Sequence, residues 1–360
     1  MGTNQLPGLK NLRPEEELLF ACTRQGLLSC HREKLAQITK LHRIRWDVVY
    51  ATALRHGVAP LVYANLLQCP TIAEQMPADS CTKFARCTRS NTLLKSLFRQ
   101  RMRSILEFFA RRSVKVMLVK GAALDVAVYR QPWYTLSADI DLMVQCRQKD
   151  FPAEDRQAVD HIVNGRSALE RRITVELEWF GHHDVSLSGL LPIGFEEIWT
   201  QARAVQVLDQ VAFIMSPEHM LLSACINGCR KRFFRLKSLC DIAEIMLAHE
   251  IDWDLFTRTA RRWGCEIIAY TALLIADMAL GASVPQGVLA SLEVPPLRRQ
   301  LIHFISRRMS FSSLATSQGG WRFLNRQLGV GLLLPYTVYR WRQLYGNWKI
   351  VWRNRDLPGP

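Results

Sequence analysis

Two aspartates one residue apart, Asp139 and Asp141, interrupt the apolar run ADIDLMV. Side chains alternate faces along a strand, so the two carboxylates share one side while Ile140, Leu142 and Val144 share the other. Magnesium takes oxygen ligands in near-octahedral geometry, commonly one or two carboxylates plus the substrate's own phosphates. The spacing therefore predicts a metal ledge suited to transfer at phosphorus, where positioning and charge neutralisation matter more than covalent help.

A second acidic strand follows, expected over residues 172–180. In ITVELEW, Ile173, Val175, Leu177 and Trp179 line one face and Thr174, Glu176 and Glu178 the other. A third carboxylate from this strand would complete the metal set and can also accept the proton of an attacking hydroxyl. Both Glu176 and Glu178 are candidates. The requirement is geometric: the strand must lie beside Asp139–Val144 with its glutamates on the same side of the sheet.

Upstream, VKVMLVKGAAL reads as a strand, a tight turn and the start of a helix. Gly121 lets the backbone come close to a phosphate, the helix N-terminus offers unpaired N–H donors, and Lys120 adds a point charge.

These residues need a frame to hold them, and the chain reads as three parts. An N-terminal helical region covers 1–112, a small mixed α/β (α+β) core 113–212, and a C-terminal helical region 213–360. Pro14 followed by three glutamates opens a first helix. A helix over 46–55 stops at Gly57, and turns at Cys69-Pro70 and Met76-Pro77 interrupt the next. A long helix over 83–112 delivers the chain into the first strand, with Arg99, Arg101, Arg103, Arg111 and Arg112 read as a solvated face. Beyond the acidic pair a helix is expected over 150–161. Ser216 and Pro217 start another, closed by Gly228, and a basic connection from Arg230 to Lys237 follows.

The 360 residues are 49% hydrophobic and 22% charged, the balance of a globular protein rather than a disordered one. A net charge of +15 favours an anionic partner. Ten cysteines behind an N-terminus with no apolar run predict free thiols and a reducing, cytoplasmic location. Cys225 and Cys229 read as core thiols rather than zinc ligands beside His219, because no C-x-x-C pair accompanies them. No apolar run reaches the length needed to span a bilayer. The final stretch, from Trp321, interleaves Trp, Tyr and Arg with few acids. That mixture suits a nucleic acid or an anionic membrane surface, but the favoured reading is a helix pair packing its aromatics inward.

Taken together, KGAAL, Tyr129, ADIDLMV and VELEW resemble the uncharacterised bacterial nucleotidyltransferase family of the DNA polymerase beta superfamily. WDVVYATALRHGVAPLVYANLL resembles that family's N-terminal helices, and SPEHMLLSACINGCRKRFFRLKSLCDIAEIM the helical segment after its sheet. The resemblance covers most of the chain between about Trp46 and Trp253. It implies that Asp139 and Asp141 ligate Mg²⁺ or Mn²⁺, that Lys120 and Gly121 lie along the triphosphate of an NTP, expected to be ATP, and that Glu176 stands as the third carboxylate. Asp241 matches a family aspartate of unassigned role. Three departures stand out: Thr135 replaces an arginine, Glu178 replaces a histidine, and the interval between the acidic strands is shortened.

The expected activity is metal-dependent transfer of a nucleoside monophosphate to an acceptor hydroxyl of a peptide, sugar or protein, with release of pyrophosphate. The alternative is a protein that keeps the fold without turnover and acts as an antitoxin-like or other interaction partner, a reading favoured by Thr135 and the shortened interval.

Overall fold

The computed structural model describes residues 12–307, apart from 28, 138, 166, 168–169, 171–172, 180–190, 192 and 231–234. The aromatic, basic C-terminal stretch from Trp321 lies outside the described residues. Six helices precede the sheet in the described chain: α1 (Pro14–Ala21), α2 (Ser29–Leu41), α3 (Trp46–Arg55), α4 (Ala59–Leu67), α5 (Pro70–Ala73) and α6 (Ala78–Ala110). The punctuation is that of the sequence. Gly57 takes a left-handed φ of +75° after α3, and prolines open α1, α4 and α5 within their first two positions.

The core then runs β1 (Val116–Val119), α7 (Lys120–Ala127), β2 (Asp139–Val144), α8 (Ala153–Asn164), β3 (Thr174–Trp179), α9 (Phe195–Thr200), β4 (Arg203–Val207) and β5 (Gln210–Ile214). These strands form one mixed five-stranded sheet in the order β3-β2-β1-β5-β4. Strand β1 is antiparallel to β2 and parallel to β5, while β2 and β3 run parallel, joined by the α8 crossover. The architecture is a mixed α/β core flanked by helices on both sides in sequence. It is closed by α10 (Pro217–Arg230), α11 (Leu236–Ala248), α12 (Trp253–Arg262), α13 (Glu266–Leu280), α14 (Val288–Ser291) and α15 (Pro296–Ser306).

The middle of the sheet is dry. All four residues of β1 are buried, as expected of a central strand reading VMLV. On the face away from the acids, Phe109 of α6, Phe151 and Trp179 of β3 meet edge to face with ring centroids 5.2–6.3 Å apart. Trp179 thus anchors β3 through the face that alternation assigned to the core.

Helix α6 is less simply amphipathic than its sequence suggests. Arg101, read as part of a solvated face, is buried: it donates to the Val163 carbonyl at 3.2 Å and pairs with Glu170 at 3.4 Å. Arg112 stacks on the Phe108 ring and pairs with Asp155 of α8. A guanidinium carries five donors on an apolar stem, so its charge does not fix it on the surface.

Helices from the two ends of the chain meet. Glu244 of α11 is fully buried and accepts from Arg24 Nε at 3.0 Å and from the Gln25 backbone and side-chain amides at 2.9 and 3.0 Å. Arg24 also donates to the Leu280 carbonyl at the end of α13. Every oxygen of that buried carboxylate is matched, which is what keeps a charged residue tolerable there.

Two expectations shift. Helix α10 runs through Gly228 to Arg230 rather than ending at the glycine. The hairpin β4–β5, absent from the sequence reading, supplies the strand that pairs with β1. Among the described residues no helix is long and apolar enough to cross a membrane.

Candidate active site

Parallel pairing of β2 with β3 sets the acidic register. Asp139 lies opposite Thr174, Asp141 opposite Glu176, and Met143 opposite Glu178. Because directly paired residues project to the same face, Asp141 and Glu176 are side by side. Carboxylate oxygens of Asp139, Asp141 and Glu176 all lie within 4.8 Å of one another. An all-oxygen set of three carboxylates at that spacing fits a hard divalent cation and suits neither zinc thiolate nor haem chemistry.

Lys120 closes the cluster. Its Nζ is 2.5 Å from Asp141 Oδ1, 3.4 Å from Glu176 Oε2 and 3.9 Å from Glu178 Oε1. The turn that aims it is abrupt, because β1 ends at Val119 and α7 begins at Lys120 with no intervening loop. Lys120 takes the left-handed conformation, φ +50°, which costs a side chain roughly 1 kcal/mol or more. The positive φ is at the lysine, not at Gly121 as a glycine-led turn would have it. Gly121 matters for another reason: a Cβ there would come within 3.3 Å of Ser137 Oγ, in the segment leading to Asp139, and would press that side chain aside.

The electrostatics follow from unequal burial. Asp141 is 3% exposed, whereas Glu176 faces solvent. Burial pushes Asp141 up to about 7, against the pull of the Lys120 ammonium. Glu176 is held below the ordinary carboxylate range, chiefly by its hydrogen bond with Asp141 and then by Lys120. Burial works against the Lys120 charge, but Asp141, Glu178 and Glu176 outweigh it and raise the ammonium.

The cluster opens on a cleft of about 400 Å³ bounded by the sheet end, α3, α6, α7, α10 and α11. Arg55, Arg230, Arg235 and Lys237 line it with Lys120, so the acidic ledge faces a basic wall. In sequence the stretch from Arg230 to Lys237 reads only as a basic connection, and Arg55 carries no signal of a role. A usable signal is present in α10: Ser223, Asn227 and Arg230 fall at i, i+4 and i+7, a polar stripe along one side of the helix. All three line the cleft.

Of the departures, Thr135 is buried, and its carbonyl and that of Trp133 accept from Asn91 Nδ2 at 3.2 and 2.7 Å. It secures the segment before β2 to α6. Asp241 accepts from Tyr129 Oη and Lys237 Nζ, each at 2.7 Å, at the cleft wall. Cys225 and Cys229 are buried free thiols, pushed up by burial, and His219 stacks on Trp263 instead of turning toward them.

A sequence profile for uncharacterised nucleotidyltransferases matches residues 42–281, spanning α3 to the end of α13. The chain belongs to that family. No curated protein and no solved structure matches this nucleotidyltransferase-family chain. The family match covers the entire acidic cluster, Lys120 and the cationic wall, so the site lies within the part shared with the family.

Proposed function

We propose that the chain transfers a nucleoside monophosphate from an NTP, with ATP the expected donor, to an acceptor hydroxyl, releasing pyrophosphate in the cytoplasm. The observation that carries this reading is the convergence of Asp139, Asp141 and Glu176 within 4.8 Å at the mouth of a cation-lined cleft. Asp139, Asp141 and Glu176 are the residues that would hold Mg²⁺ or Mn²⁺. A divalent ion so held supplies charge neutralisation at the transferring phosphorus and activates the attacking oxygen.

The chain's own part is positional. Amides at the start of α7 and the ammonium of Lys120 face the triphosphate, while Arg230, Arg235 and Lys237 spread its charge over the opposite wall. Glu178, one alternate position along β3 from Glu176, lies 3.9 Å from Lys120 Nζ and outside the three-carboxylate group, and is the residue we assign as base. The acceptor is a peptide, sugar or protein hydroxyl.

The test is pyrophosphate release by the full chain supplied with each NTP, Mg²⁺ or Mn²⁺ and cell extract. Asp139→Ala and Asp141→Ala should each lower release at least a hundredfold. Equal release by wild type and both variants would sink the reading. One feature favours a second reading, a binding protein without turnover: the Lys120 ammonium already neutralises the carboxylates. Tight, metal-independent NTP binding with no pyrophosphate release would select it.

A further inference from the structure

A second, smaller cavity of about 110 Å³ opens on the other side of Lys120. Its walls are apolar, formed by Met143, Ile193, Phe195, Ile198, Ile226 and Trp263. It shares Lys120, Asn227 and Arg230 with the basic cleft, and Glu178, which the larger cleft does not reach, stands on its lining. The two cavities therefore meet at Lys120, Asn227 and Arg230. One is built for phosphates and the other for something apolar.

Size and polarity narrow the occupant. An apolar protein cavity of about 150 Å³ accommodates benzene, so a pocket of about 110 Å³ that is open on one side admits at most one ring. A sugar would leave several hydroxyls desolvated against isoleucine and methionine, each costing about 1–3 kcal/mol. Polar capacity is nevertheless present. Trp263 is 2% exposed, and its indole N–H has no partner among the described residues, nor has the buried Oδ1 of Asn227. Beside the cations Lys120 and Arg230 shared with the larger cleft, Glu178 is the one carboxylate on a lining that is otherwise mostly apolar, which matches a ring bearing a hydroxyl.

We infer that this pocket is the acceptor subsite and that it takes a phenolic ring, whose hydroxyl meets Glu178 beside Lys120, the residue both cavities share. The inference rests on the nucleotidyl-transfer reading and names its acceptor class. A phenol is the better partner for a carboxylate base, since its proton is lost at about 10, against about 16 for water and similar hydroxyls. In the step, the phenolic oxygen forms a bond to the α-phosphorus. The bond from that phosphorus to the bridging oxygen breaks, its electron pair leaves on pyrophosphate, and the phenolic proton passes to a Glu178 carboxylate oxygen.

The experiment uses the full chain and p-cresol as probe, followed by ligand-observed NMR, with ATP binding in Mg²⁺ measured separately. Wild type should bind p-cresol without nucleotide. Ile193→Trp and Ile226→Phe should each weaken p-cresol at least tenfold while ATP binding and the melting temperature stay near wild type. Ile193 is only half-buried, so its variant carries the test if Ile226→Phe does not fold. Absence of p-cresol binding to wild type, or equal binding by the folded variants, overturns the subsite. Retained p-cresol binding with no ATP binding instead overturns the transfer reading and leaves the ring pocket standing. Competition by Gly-Tyr-Gly places the ring on a peptide and its absence on a free phenol, and both uphold the subsite. With transfer established, Glu178→Gln should keep p-cresol binding and lose transfer at least a hundredfold; unchanged transfer would remove Glu178 as the base.

Discussion

Tyr129 Oη donates a 2.7 Å hydrogen bond to Asp241 Oδ1, joining the end of the β1–α7 unit to α11 across 112 residues of chain. Both groups are buried, and Lys237 holds the other oxygen of Asp241. The bond ties the helix that presents Lys120 to the helix that brings Lys237 to the cleft. Tyr129→Phe keeps the ring and removes the donor, leaving a buried carboxylate oxygen short of a partner. The expected loss is about 1–3 kcal/mol of stability, read as a lower urea midpoint with an unchanged slope. An unchanged midpoint would mean that the hydroxyl contributes nothing to docking α11.

The acidic strands were legible because period-two alternation survives in DIDLMV and TVELEW, and a parallel register fixes the rest. Asp141 and Glu176 could be assigned to neighbouring strands since both needed one face. The cationic wall was not legible, because Arg55, Arg230, and Arg235 with Lys237 come from the ends of three helices whose convergence depends on packing angles rather than on spacing. The β4–β5 hairpin escaped for a local reason. Its two-residue turn is Leu208-Asp209 between the paired residues Val207 and Gln210, with no Asn-Gly or Gly to announce it.

That turn carries its own prediction. Leu208 is partly exposed and sits at φ +54°, the left-handed region a primed hairpin turn needs at its first central position. Asp209, the second, is fixed by a bidentate pair with Arg103 of α6 at 2.5–2.6 Å. Leu208→Gly relieves the strain without disturbing that pair. The melting temperature should rise, by the equivalent of about 0.5–1 kcal/mol. A fall would show that the Leu208 side chain does more for the hairpin than its backbone geometry costs.

Lys95 of α6 and Asp125 of α7 form a buried pair, with Lys237 and Asp241 as the next charged neighbours of Asp125. Burial pushes Asp125 up to about 6 from an ordinary 3.8, although Lys95 pulls the other way. The folded state therefore holds this proton more tightly than the unfolded chain does. Its contribution to stability is fully present below about pH 4 and is lost as pH rises toward 6, by on the order of a few kcal/mol. Lys95→Met removes the compensating cation and should destabilise by about 3 kcal/mol at pH 8. At pH 5, where Asp125 is protonated, the difference from wild type should shrink to a fraction of that. Denaturant midpoints at the two pH values decide, and a pH-independent difference would count against a buried ionised Asp125.

Lys120 and the metal ledge compete for the same oxygens. The ammonium sits 2.5 Å from Asp141 and within 4 Å of Glu176 and Glu178, so a dication entering the cluster meets a positive charge already in place. For Asp139, Asp141 and Glu176 to hold a metal, Lys120 must turn toward the cleft, where the negative charge of a nucleotide would receive it. Lys120→Met keeps the chain length and removes the charge. Binding of Mn²⁺ alone, followed by electron paramagnetic resonance, should tighten about tenfold, equivalent to about 1.4 kcal/mol of relieved repulsion. Binding of ATP in the presence of Mn²⁺ should weaken by a similar factor or more, because the triphosphate loses a cation. The opposite signs are the diagnostic. If both affinities fall together, Lys120 is a structural counter-ion that holds the carboxylates in place, and the exchange between ammonium and metal does not occur.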